Sequence, residues 1–209
     1  MKLIAFFKEK LYQNYCKICL KNKGFSIISD DCWGGRVYTD VGVSYTSPTV
    51  NLFLYSSCYV KLIQDLRNYI DQDIVFITSS KYEIANQTRE KTKNYYPIGK
   101  LYDIEIHFLH SQDNEDAISK WNNRKIRLNY NHLFYKFSDA YLIDENDLIV
   151  FEKLPLKNKV LFVSKKYKGL SNAIFINEFE INGKVGDAFK YRWLYRKYFD
   201  AVKWLNNGK

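Results

Sequence analysis

The stretch FSIISDDCWGG, residues 25–35, decides how the chain is read. Its opening is an apolar, β-branched run that predicts a buried strand. It closes on two acids, a cysteine, a tryptophan and two glycines, which is turn chemistry. In open α/β sheets the ligand crevice lies beyond the carboxyl ends of the strands, so Asp30, Asp31 and Cys32 are expected at that rim. The Gly34-Gly35 pair is expected to let the backbone turn tightly and approach a ligand with no side chain in the way.

Outward from that strand the pattern alternates. Before it, Ile4, Phe7, Leu11, Tyr15 and Ile18 recur at helical spacing over residues 3–20, and lysines at 2, 8, 10, 17, 21 and 23 flank them. That segment, residues 1–22, is either a helix packed on the domain or a basic amphipathic helix resting on an anionic membrane surface. After it come a strand over 50–55, a helix over 57–70 with Val60, Ile63, Leu66 and Ile70 on one face, and a strand over 74–77. Residues 81–94 are polar without a period and predict an exposed connection or irregular helix. Asn114, Glu115 and Asp116 suit a helix N-terminus, and that helix runs to about Leu128. Strands follow at 132–137, 159–164 and 173–176, with a short helix over 145–151. The chain closes with a long aromatic helix over 187–205, Asp187 serving as its cap.

This alternation predicts a single α/β domain spanning residues 1–209, with an open, largely parallel or mixed sheet flanked by helices. A chain of 209 residues buries a sizeable core, and its abundant aromatics with few prolines and glycines exclude disorder. The net charge of +9 is spread along the chain and favours anionic partners, but no nucleic-acid module accompanies it, so nucleic acid is not an expected partner. Cys16, Cys19, Cys32 and Cys58 follow no secretory leader and no apolar run reaches the length of a membrane span, so free thiols in a cytoplasmic setting are expected. Cys16 and Cys19 form a lone CxxC, for which His107 and His110 are the candidate further zinc ligands.

The second informative stretch is YPIGKLYDIEIHFLH, residues 96–110. On a strand, Asp103, Glu105 and His107 share one face, which either meets solvent or lines a polar cleft. All three histidines of the chain, His107, His110 and His132, fall here or shortly after, and histidine moves protons near neutral pH. Arg124 and Arg127 on the following helix are either solvent-facing charge or a guanidinium clamp for a phosphate or carboxylate.

FSIISDDCWGG, SPTVNLFL, YPIGKLYDIEIHFLH, KWNNRKIRLN, LPLKNKVLF and RKYFDAVKWLNNG lie in order over most of the chain. Together they resemble a bacterial domain of unknown function whose members are often labelled exopolysaccharide or capsule biosynthesis proteins. The resemblance implies a role in cell-surface polysaccharide assembly, and related proteins are sometimes labelled acyltransferases. The family pattern usually has two asparagines where this chain has Asp30 and Asp31. Their two negative charges are expected to raise the Cys32 thiol pKa and weaken it as a nucleophile.

Three functions remain open on these residues. The first is transfer of an acyl group from an acyl-CoA donor to a sugar or glycan hydroxyl. Cys32 would then be the nucleophile or His107 the general base, with Glu105 or Asp103 orienting an imidazole and the N–H groups near Gly34 and Gly35 stabilising the oxyanion. The substrate-binding set is Asp30, Asp31, Trp33, Gly34, Gly35, His110, Arg124 and Arg127. The second is a glycosyltransferase in which Asp30 and Asp31 hold a divalent metal and Arg124 or Arg127 meets the phosphates of a nucleotide-sugar. The third is a non-catalytic glycan-binding or assembly component, with Trp33 stacking on sugar rings.

Overall fold

A computed structural model describes residues 2–141 and 144–208; Met1, Leu142, Ile143 and Lys209, and the side chain of Lys2, lie outside the description. The chain runs α1 (Lys2–Cys19), β1 (Ser26–Ser29), α2 (Trp33–Val41), α3 (Ser56–Gln64), α4 (Leu66–Asp71), β2 (Val75–Ile77), α5 (Glu83–Thr92), β3 (Ile98–Leu101) and β4 (Ile104–His107). It continues α6 (Asn114–Lys125), β5 (Leu133–Ser138), α7 (Glu145–Lys153), β6 (Lys159–Val163), β7 (Ile174–Phe175), a 3-10 segment Asn177–Asn182, α8 (Arg192–Tyr198) and α9 (Ala201–Asn207).

The main sheet has the order β1-β5-β6-β7 and every pairing in it is parallel. Its side chains alternate between two cores, as period-two geometry requires when both faces are covered. Ile27, Phe134, Val160 and Phe162 face one core, completed by residues of α1, α2, α8 and α9. Ile28, Tyr135, Phe137, Leu161 and Val163 face the other, completed by α3, α4, α6 and α7. A smaller antiparallel sheet, β2-β3-β4, adjoins the second core. The α/β class and the parallel sheet read from the sequence are those of the structure.

Several segments differ from expectation, each for a local reason. Residues 96–110 are two strands, because Leu101 pairs with Ile104 and the chain reverses at Tyr102-Asp103, with Tyr102 at φ 50°. Asp103 therefore sits in the turn, while Glu105 and His107 keep a common face on β4. Residues 50–55 form no extended strand: Asn51 adopts φ 59°, and only Phe53 bridges, to His107. The Leu54 N–H then donates to the Asp30 carbonyl at 2.9 Å, which ties this segment to the carboxyl end of β1. Residues 57–70 break into two helices at Asp65, whose φ is −140°. Residues 81–94 hold a regular helix, α5, anchored by the buried Arg89 donating to the carbonyls of Thr78 and Tyr96. The terminal helix divides at Phe199, which is extended and packs its ring against Trp33, Phe162 and Trp204, and Asp200 caps α9.

α1 packs through the side opposite its apolar stripe. Cys16 and Leu20 enter the core, and Glu9 meets Arg36, Arg192 and Arg196. Arg196 also lies over the Tyr12 ring at 3.8 Å. Ile4, Phe7, Leu11, Tyr15 and Ile18 all face outward, between 55% and 82% exposed.

Candidate active site

The carboxyl ends of β1 and β5 lie side by side, with Ser29 in register with Lys136. Lys136 is completely buried, and its Nζ is 2.9 Å from Asp30 Oδ1, 2.6 Å from Asp31 Oδ2 and 2.9 Å from Ser138 Oγ. Ser138 Oγ in turn donates to Asp30 Oδ2 at 2.8 Å. Burial works to lower the Lys136 ammonium, but the two carboxylates overcome it and the net shift is upward. One ammonium cannot satisfy two buried carboxylates. Burial pushes the Asp30 carboxyl up to about 7, Lys136 opposing and the charge of Asp31 adding to the rise. Asp30 and Asp31 thus converge on a lysine rather than on an open coordination position, and Asp31 Oδ1 also accepts from the Trp33 N–H at the start of α2.

Cys32 stands at the mouth of this cluster. Its Sγ lies 3.4 Å from His110 Nε2, and His110 is exposed while Cys32 is nearly buried. Burial first, then the charges of Asp31 and Asp187, push the thiol up to about 12, with Lys136 opposing. Cys32 therefore rests as S–H, and its chemistry requires a base to remove the proton as the sulfur attacks. His110 is placed for that. The N–H groups of Gly34 and Gly35 precede the first intrahelical bond of α2, from Arg36 N–H to the Cys32 carbonyl, and so lack intrahelical acceptors.

The structure does not bring the other sequence-derived candidates to Cys32. His107 is wholly buried, ringed by Phe53, Tyr55 and Tyr96, and neither ring nitrogen makes a hydrogen bond. Burial, with Arg89 adding to it, lowers its pKa to about 4, so the imidazole is neutral. Glu105 approaches it only to 3.7 Å and is committed to Ser80 Oγ at 2.6 Å and the Lys81 N–H at 2.8 Å. Asp103 is on the surface, paired with Lys61 and Tyr69. Trp33 is in the core against Phe162, Phe199 and Trp204, where no sugar can stack on it. Arg127 points away along α6, its Nε donating to the Asn123 carbonyl. Gly34 and Gly35 lie inside α2 rather than in a turn. A Cβ on Gly34 would come within 3.0 Å of Ser29, and one on Gly35 within 1.9 Å of Asn51 Oδ1, so close approach is what requires glycine there. Cys16 packs in the core beside α2, and among the described residues no three His, Cys, Asp or Glu side chains gather as a metal set.

Two cavities lie among these residues. One, of about 180 Å³, is bounded by His110, Asn51, Lys120, Trp121 and Arg124. The other, a cleft of about 490 Å³, is walled by Phe53, Tyr55, Tyr96, Leu109 and Tyr141. The Tyr141 phenol is pushed up by burial first and then by the charges of Asp31, Asp187 and Cys32. The sequence reading gave Lys136, Ser138, Lys120 and Tyr141 no role, and took Trp121 only as an inward-facing residue of its helix. Only Lys136 carried a signal, as a lone charge inside the apolar run LFYKF that must find a buried partner.

The model of a family described as a domain of unknown function, DUF1919, matches residues 3–206. The chain belongs to the DUF1919 family. A relative from Haemophilus influenzae, described as an uncharacterized protein, is 35% identical over 193 residues, covering 90% of this chain and 87% of the relative. The matched range of this DUF1919 member, residues 3–206, spans the positions of the ion cluster, the Cys32–His110 pair and both cavities.

Proposed function

We propose that this chain is a transferase of cell-surface, exo- or capsular, polysaccharide biosynthesis that passes an acyl group to a sugar or glycan hydroxyl through Cys32. The observation that carries the reading is the 3.4 Å contact of Cys32 Sγ with His110 Nε2 at the carboxyl edge of a parallel sheet. The polysaccharide setting rests on the family resemblance of the sequence. In the first step His110 Nε2 takes the Cys32 proton as Sγ attacks the carbonyl carbon of an acyl-CoA thioester. The C–S bond to the donor breaks, and the departing thiolate takes the proton back from His110. In the second step the acceptor hydroxyl attacks the Cys32 thioester, its proton passes to His110, and Sγ leaves and recovers it. The N–H groups of Gly34 and Gly35, which lack intrahelical acceptors, are the donors assigned to the oxyanion of each tetrahedral intermediate. The aromatic cleft beside Tyr141 suits the face of a sugar ring.

The test is intact-protein mass after incubation with acetyl-CoA and longer acyl-CoA donors. A single acyl adduct, released by hydroxylamine and lost in Cys32→Ser, is expected, with its formation slowed ~100-fold or more in His110→Gln, the scale of one general base. No adduct with any donor, or an adduct that survives Cys32→Ser, overturns the reading. The aromatic cleft favours one second reading, a glycan-binding component, which an oligosaccharide-dependent change in Tyr fluorescence without any adduct would support.

The outward face of α1 extends the proposal to place. Among the described residues no helix is long and apolar enough to cross a membrane. The exposed stripe of Ile4, Phe7, Leu11 and Ile18 is bordered by Lys8 on one side and Lys10 and Lys17 on the other, the charge pattern of a helix lying on an anionic lipid surface. Co-sedimentation with phosphatidylglycerol vesicles, weaker with phosphatidylcholine and lost in Leu11→Glu, is the expected result. Equal indifference to both vesicles, or a dimer in light scattering that Leu11→Glu dissolves, refutes it.

A further inference from the structure

The cavity beside His110 has a polar lining that the protein itself leaves unfinished. Trp121 is 1% exposed, yet its indole Nε1–H has no hydrogen-bond partner. Asn51 contributes to the same lining, but its Oδ1 lies against Gly35 of α2. A buried donor left without an acceptor is destabilising, so native structures usually fill such a site with water or a ligand. The charge around it is mainly positive. Arg124 is held by one Nη1 bond to the Val50 carbonyl at 2.7 Å and by the Tyr45 ring at 5.1 Å, which orients the guanidinium as part of the wall. Lys120 Nζ is fixed on the His110 carbonyl at 2.9 Å and on Asp116 at 2.6 Å, so Asp116 offsets part of that charge. His110 is also part of the lining, and its Nε2 is 3.4 Å from Cys32 Sγ.

We propose that this cavity, between α6 and the Pro48–Leu52 segment, binds a phosphate group, with Arg124 and Lys120 supplying charge and the Trp121 indole N–H a neutral donor. A volume of about 180 Å³ holds a phosphate together with the first atoms of whatever carries it. Water alone, at about 30 Å³ each, would leave the Arg124 guanidinium, whose printed hydrogen bond is to a neutral carbonyl, without a counter-charge. The inference deepens the proposed transferase site: it rests on that reading for the claim that the phosphate belongs to a substrate, whereas binding itself stands on the cavity. The substrate class it names is a phosphorylated donor or acceptor whose phosphate anchors one end while the reacting carbon reaches Cys32.

The protein, ¹⁵N-labelled, is titrated with inorganic phosphate while the indole N–H resonances of its four tryptophans are followed. The Trp121 resonance, assigned by its loss in Trp121→Phe, is expected to shift and saturate. Acetate at equal ionic strength leaves it in place, and a sugar 1-phosphate moves it at lower concentration than phosphate does. Arg124→Gln is expected to weaken binding by ~10-fold or more, the effect of one charge-assisted bond. Cys32→Ser is expected to bind phosphate as the parent does. A Trp121 resonance indifferent to phosphate, a shift matched by acetate, or full affinity in Arg124→Gln overturns the inference. Phosphate binding without an acyl adduct would remove the transferase reading alone, and an adduct without phosphate binding would remove this one alone.

Discussion

Replacing Lys136 by methionine gives the most direct test of how the rim of the sheet is held. The substitution keeps the aliphatic stem but deletes the one ammonium that meets Asp30, Asp31 and Ser138 at 2.6–2.9 Å. Breaking a buried ion pair by removing one partner costs about 3–5 kcal/mol, because the remaining charge stays out of water. Here two carboxylates remain. Asp30 relieves part of the cost by keeping a proton, since its pKa already lies near neutrality at about 7. A loss of about 3–5 kcal/mol at pH 7 is a large share of a typical ~5–15 kcal/mol stability. In a domain of this size it lowers Tm by roughly 6–20 °C. The assay is urea unfolding followed by tryptophan fluorescence, with an unchanged m-value showing that both states keep their compactness. The double variant Lys136→Met/Asp30→Asn removes one stranded charge and is expected to recover at least ~1 kcal/mol of the loss. A Lys136→Met protein within ~1 kcal/mol of the parent would refute the reasoning, because such a pair would have to be solvated.

Three further outcomes follow from the same geometry. The Asp30 carboxyl is raised from 3.8 to about 7 in the folded state, so its contribution is fully present below pH 3.8 and is lost as pH rises through 7; Asp30→Asn is expected to remove that fall in stability between pH 4 and 7, measured as the urea midpoint at each pH. His107 has the opposite sign: lowered from 6.5 to about 4, its contribution is complete above pH 6.5 and is lost as pH falls toward 4, by about 3 kcal/mol. His107→Leu should abolish that acid slope, and an unchanged slope would show that the imidazole is hydrated. Gly35→Ala must push Asn51 aside, at a cost of about 1–3 kcal/mol for overpacking against about 1 kcal/mol gained from helix propensity. Its net stability change is therefore expected to be a loss of about 0–2 kcal/mol, while phosphate affinity of the neighbouring cavity falls; a normal phosphate titration would show that Asn51 has no part in shaping it.

Much of the layout is local and was legible. FSIIS predicted the first strand, and the acidic, cysteine-bearing end of that stretch does lie at the carboxyl edge of the sheet. The helices α6 and α7 and strands β5 and β6 were located from periodicity and caps, because those signals span only a turn or a pleat. The hairpin β3-β4 was not separated, since a period of two continues unbroken through a two-residue reversal at Tyr102-Asp103. That reversal is why Asp103, Glu105 and His107 do not act as one face.

The pairings that make the site are of another kind. Cys32 and His110 are 78 positions apart, and Asp30 and Lys136 are 106 apart. No window of sequence holds both partners, so composition could nominate Cys32 and a histidine without choosing His110 over His107. The α1 stripe is the converse case. Its spacing established that one helix face is apolar, but the Glu9 ion pairs with Arg36, Arg192 and Arg196 decided which face meets the domain. Periodicity is set by neighbours along the chain and specifies the elements; burial and pKa are set by neighbours in space, which only the packed sheet and its helices supply.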